Sequence, residues 1–207
     1  SYFLHSMLIA IAATASNVAF ASVAGYAFAR MRFPGSNLLF AAVLGSMMVP
    51  DQVRMVPVFR MLATAGLIDS YLGVWALQAV TPMGIFLMRQ HFRTMPRELE
   101  ESARIDGAGH FTTFYRIMLP LAAPAIATLA ILTFQGSWNE FFWPLLILQD
   151  PAKFTLPQGL AAFTSAYQTQ WPPLMAATIV ATLPVLVLFI ASQRYFSGDT
   201  TSGAVKG

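Results

Sequence analysis

The stretch PRELEESARIDGAGHFTTFYRIMLPLAAP, residues 96–124, is the longest charged and polar block in a chain that is otherwise apolar. The chain has 12 Lys and Arg and 9 Asp and Glu residues, and seven of these 21 lie between Arg97 and Arg116. On both sides the sequence has the apolar composition of membrane spans. The block is therefore predicted to be a loop that the spans hold in water.

Composition supports a membrane protein. Of the 207 residues 57% are hydrophobic and 10% are charged, whereas soluble domains carry about 25% charged residues. The length suffices for five or six spans of roughly 20 residues each. The absence of cysteine excludes disulfides and cysteine-ligated metal sites. We predict an all-α, polytopic bundle of membrane helices that forms a single transmembrane domain over residues 1–207.

Five spans are predicted, over residues 2–29, 38–50, 71–88, 121–148 and 174–192. The first is rich in small residues, which let helix backbones approach closely in lipid, so it is predicted to pack against other helices. After the second span we expect a partly interfacial helix that Pro57 breaks. Pro82 and Pro184 are predicted to kink the third and fifth spans, and residues 135–140 are predicted to interrupt the fourth.

The distribution of basic residues predicts the orientation. Only Arg54, Arg60 and Lys153 lie in loops on one predicted side. Nine lie on the other side: Arg30, Arg32, Arg89, Arg93, Arg97, Arg104, Arg116, Arg194 and Lys206. The central block and the C-terminus are therefore expected in the cytoplasm. Five spans would then place Ser1 outside, so we expect a further span before this residue.

The central block is predicted to contain a helix, a turn and a second helix. Pro96 suits the first turn of a helix because its missing N–H is not needed there. Three carboxylates then lie near the positive end of the helix dipole: Glu98, Glu100 and Glu101. The segment Gly107-Ala-Gly109 is expected to end this helix, and a second short helix over residues 111–118 leads to the next span.

The same block resembles the EAA loop of bacterial ABC importer permeases. The matching pattern is Glu101-Ser-Ala103, three residues, Gly107, nine residues, Ile117, one residue and Leu119-Pro120. Ser102 stands where the family usually has Ala, which replaces one small residue with another. Spacing, residue identities and membrane context agree.

The resemblance extends over nearly the whole chain. Residues 24–30 with 33–35, residues 136–143 and the tail 202–207 are similar to sugar-importer permeases of the maltose-permease type. That family has six spans in this kind of subunit, which agrees with the further span expected before Ser1. The resemblance thus implies a type I ABC importer permease fold, with residues 96–120 as its coupling loop.

The resemblance also implies roles for five residues of the coupling loop: Glu101, Ser102, Ala103, Asp106 and Gly107. The helix that contains them would sit in a groove of a cytoplasmic ATPase subunit, with Glu101 paired to a basic residue there. Asp106 would fix the helix end, and Gly107 would permit the turn. Closure of the ATPases would then move the spans between inward-open and outward-open states.

The partners implied are two cytoplasmic ATPase subunits, a second and similar permease, an extracytoplasmic solute-binding protein and membrane lipid, with no nucleic acid. The chain lacks the phosphate loop G-x-x-x-x-G-K-[ST] and is not itself the ATPase. ATP and Mg would be bound by the ATPase subunits, so no cofactor is expected here. H-E-x-x-H and G-x-S-x-G are also absent, so no enzyme is predicted. The expected location is the bacterial inner membrane, with multiple spans.

Polar residues inside spans are candidates for the substrate pathway: Asn17, Gln78, Gln135, Asn139 and Glu140, to which we add Trp138. The alternative is that these side chains join helices to one another, as amides in packed bundles do. His5, His91 and His110 show no metal-ligand spacing, so no metal site is predicted.

The predicted function is import of a sugar or a related polyol such as glycerol phosphate. Two alternatives stay open. One is an ABC importer permease for a non-sugar solute, because the coupling loop is shared more widely than any substrate. The other is an ion-coupled secondary transporter, which would need acids inside the membrane; only Glu140 approaches this.

Overall fold

The computed structural model describes residues 1–163 and 171–196, and within them every regular element is helical. This confirms the predicted all-α class. The α-helices are α1 (Tyr2–Arg30), α2 (Ser36–Ser46), α3 (Asp51–Thr64), α4 (Tyr71–Ala76), α5 (Pro82–Thr94), α6 (Glu98–Ile105), α7 (His110–Thr113), α8 (Leu119–Leu121), α9 (Ala123–Trp138), α10 (Phe142–Ile147), α11 (Leu156–Ala161) and α12 (Trp171–Phe196). A π-helical turn, Phe114–Met118, joins α7 to α8, and a 3₁₀ turn, Pro151–Lys153, precedes α11. The tail resemblance at residues 202–207 and the basic residue Lys206 lie outside the described residues, as does the side chain of Arg194.

Two helices are long and apolar enough to cross a membrane alone, over Tyr2–Arg30 and Trp171–Ala191. Two bent pairs pass the same test together, Ser36–Ser46 with Asp51–Thr64 and His110–Leu121 with Ala123–Trp138. The described residues therefore contain two to four candidate spans by length and composition, against the five predicted.

The predicted third span is two helices rather than one kinked helix. Helix α4 ends at Ala76 and α5 begins at Pro82. The hydroxyl of Thr81 accepts a hydrogen bond from the Gly84 N–H at 3.0 Å, which caps the new helix. Pro82 occupies a first-turn position, where proline begins a helix as readily as it kinks one. The prediction of a kink at Pro82 was therefore wrong.

One further break was misplaced, because helix α3 continues through Pro57. A proline removes one hydrogen bond of a helix, and the remaining bonds continue on both sides of it. Helix α12 also continues through Pro184, and the kink predicted there stays a prediction. Helix α9 likewise includes Gln135 and ends at Trp138, so the interruption of the fourth span is confined to residues 139–141.

The described chain forms two compact units. One comprises residues 16–50 and 80–130, and the other residues 1–15, 51–79 and 131 onward. The first unit has one apolar core formed by α1, α5, the π turn, α8 and α9, with Met88, Phe92 and Met118 completely or nearly completely buried. The second unit has two smaller cores, one around Ile147 and one around Trp138.

Close helix contact in the first of these units depends on Gly25. A Cβ atom on Gly25 would lie 2.6 Å from the Met88 Cβ and 2.8 Å from the Arg89 backbone nitrogen. Helices α1 and α5 therefore approach within backbone contact, which only glycine allows here. This agrees with the close packing predicted from the small residues of the first span.

Gly25→Ala is expected to destabilise the protein by about 1–3 kcal/mol, because the added methyl displaces the α5 backbone. The measurement is thermal unfolding of the purified protein in detergent. Gly45→Ala is the matched control, since nothing lies within 4 Å of that position in α2. It should leave the midpoint unchanged or raise it; equal midpoints for both variants would contradict the close contact.

Candidate coupling site

Helix α6 begins at Glu98, with Arg97 as its N-cap residue, so Pro96 lies one residue before the cap rather than in the first turn. Glu98, Glu100 and Glu101 occupy the first turn. There their charges stabilise the helix by complementing its dipole.

The end of α6 is formed by Gly107, as the sequence predicted. Gly107 has φ +81°, a left-handed conformation that costs other residues roughly 1–2 kcal/mol. Its N–H donates to the Arg104 carbonyl at 3.0 Å, and the Ala108 N–H donates to the Ala103 carbonyl at 2.8 Å. These two bonds form a Schellman motif. Asp106 is the C-cap residue that precedes the turn.

Glu100 attaches α6 to the last turns of α1. Its Oε1 accepts a hydrogen bond from the Tyr26 hydroxyl at 2.9 Å, and its Oε2 lies 3.7 Å from Arg30 Nη1. Arg30 Nη2 also donates to the Met95 carbonyl, just before α6. The side chains of Arg30 and Glu100 are only 6% and 13% exposed. We call Tyr26, Arg30 and Glu100 the Glu100 cluster.

Because the Glu100 cluster is buried, it fixes the position of α6 relative to α1. Loss of one partner from a buried ion pair costs about 3–5 kcal/mol, because the other charge is left uncompensated. Sequence reasoning assigned Glu100 only to the helix dipole. The available signal was the spacing of Tyr26 and Arg30, which places both on one face at the end of α1.

Aromatic side chains also pack around Tyr26, a member of the Glu100 cluster. The Tyr26 ring lies 4.9 Å from the Phe114 ring and 5.5 Å from the Phe92 ring, centroid to centroid. Phe114 begins the π turn, where a regular helix over residues 111–118 was predicted. Single π-helical turns within α-helices are frequent at functional sites. In this turn Phe114 lies in the apolar core.

The predicted coupling residues divide between two faces of α6. Ala103 is buried, whereas Glu101, Ser102, Asp106 and Gly107 are exposed. Two large apolar side chains of the same loop are exposed, Ile105 in α6 at 86% and Phe111 in α7 at 80%. Exposed apolar groups among polar residues mark interaction surfaces. We call Glu101, Ile105 and Asp106 of α6 and its C-cap, together with Phe111 of α7, the α6 surface.

A second polar cluster joins two loops in the other unit, and the sequence did not predict it. Lys153 Nζ lies 2.6 Å from Asp69 Oδ2, and the N–H groups of Gln149 and Asp150 donate to Asp69 Oδ1, each at 3.0 Å. The Asp69 N–H donates to the Ile147 carbonyl at 2.8 Å. Asp69 has φ 56°, which aspartate tolerates better than most residues. The Lys153 ammonium, followed by the two backbone N–H groups, lowers the pKa of Asp69 to about 2.

Trp138, a pathway candidate, lies in a packed core. It is 2% exposed, and its indole N–H donates to the Ala181 carbonyl at 3.0 Å. Its ring stacks on Phe134 at 5.8 Å and meets the edge of Phe3 at 5.2 Å. These contacts join α9 to α1 and α12.

The three neighbouring candidates lie at the end of α9. Gln135 and Asn139 are exposed, and the Asn139 amide donates to the Gln135 carbonyl at 3.0 Å. Glu140 accepts the N–H groups of Phe142 at 2.9 Å and Trp143 at 3.3 Å. Its carboxylate therefore caps the start of α10, where the helix dipole favours a negative charge.

Two other polar candidates lie between helices. Asn17 is fully buried, and its Oδ1 accepts the Thr81 N–H at 2.8 Å, which joins α1 to the start of α5. Gln78 follows α4, and its buried amide nitrogen has no hydrogen-bond partner among the described residues.

The described residues contain no group of three His, Asp or Glu side chains that could hold a metal ion. His5, for example, bonds through Nδ1 to the Phe154 carbonyl at 3.1 Å.

Comparison with known proteins establishes the class. The family model described as the inner membrane component of binding-protein-dependent transport systems matches residues 4–201. The chain belongs to this family. It is an ABC-type permease, a transport protein of the inner membrane rather than an enzyme, as the sequence predicted.

The relatives that the chain matches are named as permease proteins of particular transport systems. The chain is 40% identical to the arabinooligosaccharides transport system permease protein AraQ of Bacillus subtilis, over all of this chain and 73% of the relative. It is 37% identical to the sn-glycerol-3-phosphate transport system permease protein UgpE of Yersinia pestis, over 93% of this chain and 69% of the relative. A crystal structure of a bacterial ABC transporter involved in the import of the acidic polysaccharide alginate contains a chain with the same fold. Its TM-score is 0.84 at 23% identity, over 94% of this chain and 74% of that one.

The Asp69 contacts predict a pH effect. A carboxylate whose pKa is lowered by folding stabilises the native state above its unfolded pKa, about 3.9. That stabilisation is lost as the pH falls toward the folded pKa of about 2. Hydrogen exchange at the Gln149 and Asp150 amides, corrected for intrinsic rates, should therefore remain slow at pH 4 and become faster as the pH approaches 2.

Asp69→Ala should abolish this protection at every pH. Asp51→Asn, which removes only an exposed contact with Arg54 in α3, should leave it unchanged. Wild-type protection in Asp69→Ala would show that the carboxylate does not hold the two loops together.

Proposed function

We propose that this permease imports a carbohydrate or a related polyol, and that α6 couples the transport to ATP hydrolysis by a partner ATPase. The proposal rests on the different environments of the two sides of α6. One side is held to α1 by the buried Glu100 cluster, and the other side presents the exposed α6 surface.

Each side has a separate part in this proposal. The α6 surface combines two carboxylates with the apolar side chains of Ile105 and Phe111, which suits a groove with a basic residue and an apolar floor. Glu101 pairs with that basic residue. Force applied to α6 then reaches α1 through Arg30, because the buried contacts resist separation. The spans change arrangement as the ATPases close.

The partners follow from the family. Two cytoplasmic ATPase subunits bind ATP and Mg, a second and similar permease completes the pathway, and an extracytoplasmic protein delivers the solute. The predicted cytoplasmic position of the central block is supported by the gathering of Arg30, Arg32, Arg97 and Arg104 around one cavity beside α6. The cytoplasmic C-terminus stays a prediction from the distribution of basic residues.

The solute class rests on the relatives. Their names specify arabinooligosaccharides and sn-glycerol-3-phosphate, both polyhydroxylated. Among the candidates Gln78, Gln135, Trp138, Asn139 and Glu140, the exposed Gln135 and Asn139 are the side chains we assign to the pathway. Amides both donate and accept hydrogen bonds, as sugar hydroxyls require.

Gly107→Ala tests the coupling proposal. The added Cβ meets no neighbouring atom within 4 Å, so its effect is limited to the left-handed backbone, a cost of about 1–2 kcal/mol. We expect solute-stimulated ATP hydrolysis and uptake by the reconstituted complex to fall about 5- to 30-fold, because the end of α6 is displaced. Glu101→Ala should reduce both rates in the same way.

Gly109→Ala is the matched control. Gly109 has φ −76° and equally open surroundings, so alanine fits there without strain. Its rates should equal those of the wild type. Unchanged hydrolysis and uptake in both Gly107→Ala and Glu101→Ala would contradict the proposal and leave the loop as a connection.

A further inference from the structure

Arginines gather in a second cavity of the unit formed by residues 16–50 and 80–130. This open cavity of about 640 Å³ is lined by residues from the end of α1, the turn before α2, and α5 with the segment after it. Its polar lining consists of four arginines and two neutral side chains: Arg32, Arg89, Arg93, Arg97, Ser36 and Asn37. Within the described part of the chain, none of the four arginines lies within ion-pairing distance of a carboxylate.

One of the arginines is fixed in place. The Arg89 guanidinium carbon lies 3.8 Å from the centroid of the buried Phe40 ring, and its Nε donates to the Phe28 carbonyl at 3.3 Å. Arg32 and Arg93 are exposed. Like charges held together repel one another, so this arrangement is stabilised by an anion. Guanidinium groups match the geometry of phosphate oxygens especially well.

The surroundings identify the kind of anion. Ser36 and Asn37 belong to the first turn of α2, whose helix dipole also favours a negative group. The next residues of α2, Leu38 and Leu39, are 75% and 54% exposed. A charged cavity that continues into an exposed apolar helix face matches a molecule with a phosphate head and apolar chains. A free phosphate ion would use only the charged part.

We propose that this cavity binds the headgroup of an anionic phospholipid, with the acyl chains lying against the exposed face of α2. The site takes one lipid at the boundary of the bilayer. Basic pockets between membrane helices recognise such headgroups, and each basic residue near the surface strengthens the binding. This inference does not depend on the solute or on the coupling role proposed for α6.

The test uses the purified full-length permease, delipidated in detergent and titrated with phosphatidylglycerol or phosphatidylcholine while native mass spectrometry counts the bound lipids. The wild type should bind one phosphatidylglycerol in preference to phosphatidylcholine. Arg32→Gln with Arg93→Gln should weaken this binding about 10- to 30-fold. The charge-matched control is Arg54→Gln with Arg60→Gln, exposed positions outside the cavity, which should bind as the wild type does.

Three results would overturn the proposal. Equal weakening in both double variants would show a general charge effect. Unchanged phosphatidylglycerol binding in Arg32→Gln with Arg93→Gln, whether or not association with the ATPase is lost, would assign the arginines to another partner. Displacement of the lipid by millimolar inorganic phosphate would show a small-anion site. If the double variant does not elute as the wild type does, Arg93→Gln alone should still weaken binding severalfold.

Discussion

The buried contact between Glu100 and Arg30 is the constraint on which the proposed coupling region depends. A carboxylate and a guanidinium with so little exposure are stable only together, and the Tyr26 hydroxyl supplies a further partner. Helix α6 has eight residues, too few to be stable alone in water. The Glu100 cluster and the Schellman turn at Gly107 therefore hold α6 in position. The opposite face of the helix is exposed, so it can contact another protein.

The rest of that unit makes the constraint effective. Gly25 lets α1 touch the α5 backbone, and Phe114 and Phe92 pack around the Tyr26 ring. Packed interiors deform little, so a displacement at one point is passed on rather than absorbed. Thr81 and Asn17 hold the start of α5 through their own hydrogen bonds. The α6 surface is thus connected to α1 through side chains that have little freedom.

Much of this could be predicted from sequence, for identifiable reasons. Helices α1 and α12 could be predicted because each consists of a long, uniform apolar run. The end of α6 could be predicted because Gly107 follows a short charged helix. Pro82 and Pro57 were misread because proline begins, kinks or simply occupies a helix according to its neighbours. The Glu100 cluster joins residues 74 positions apart and the Asp69 contacts residues 84 apart. The spacing of Tyr26 and Arg30 shows that they share one face of α1, but it does not identify their partner, which only the fold brings near.

The most direct test of the account is the amount of solute taken up per ATP hydrolysed by the reconstituted complex carrying Glu100→Gln. This change keeps the side-chain shape and an acceptor for Tyr26 but leaves the Arg30 charge without its partner. The account predicts continued ATP hydrolysis with severalfold less solute carried per ATP, whereas Glu98→Gln, at an exposed position of the same turn, keeps the wild-type ratio. An unchanged ratio in an assembled Glu100→Gln complex would contradict the claim that this buried contact transmits the motion of α6.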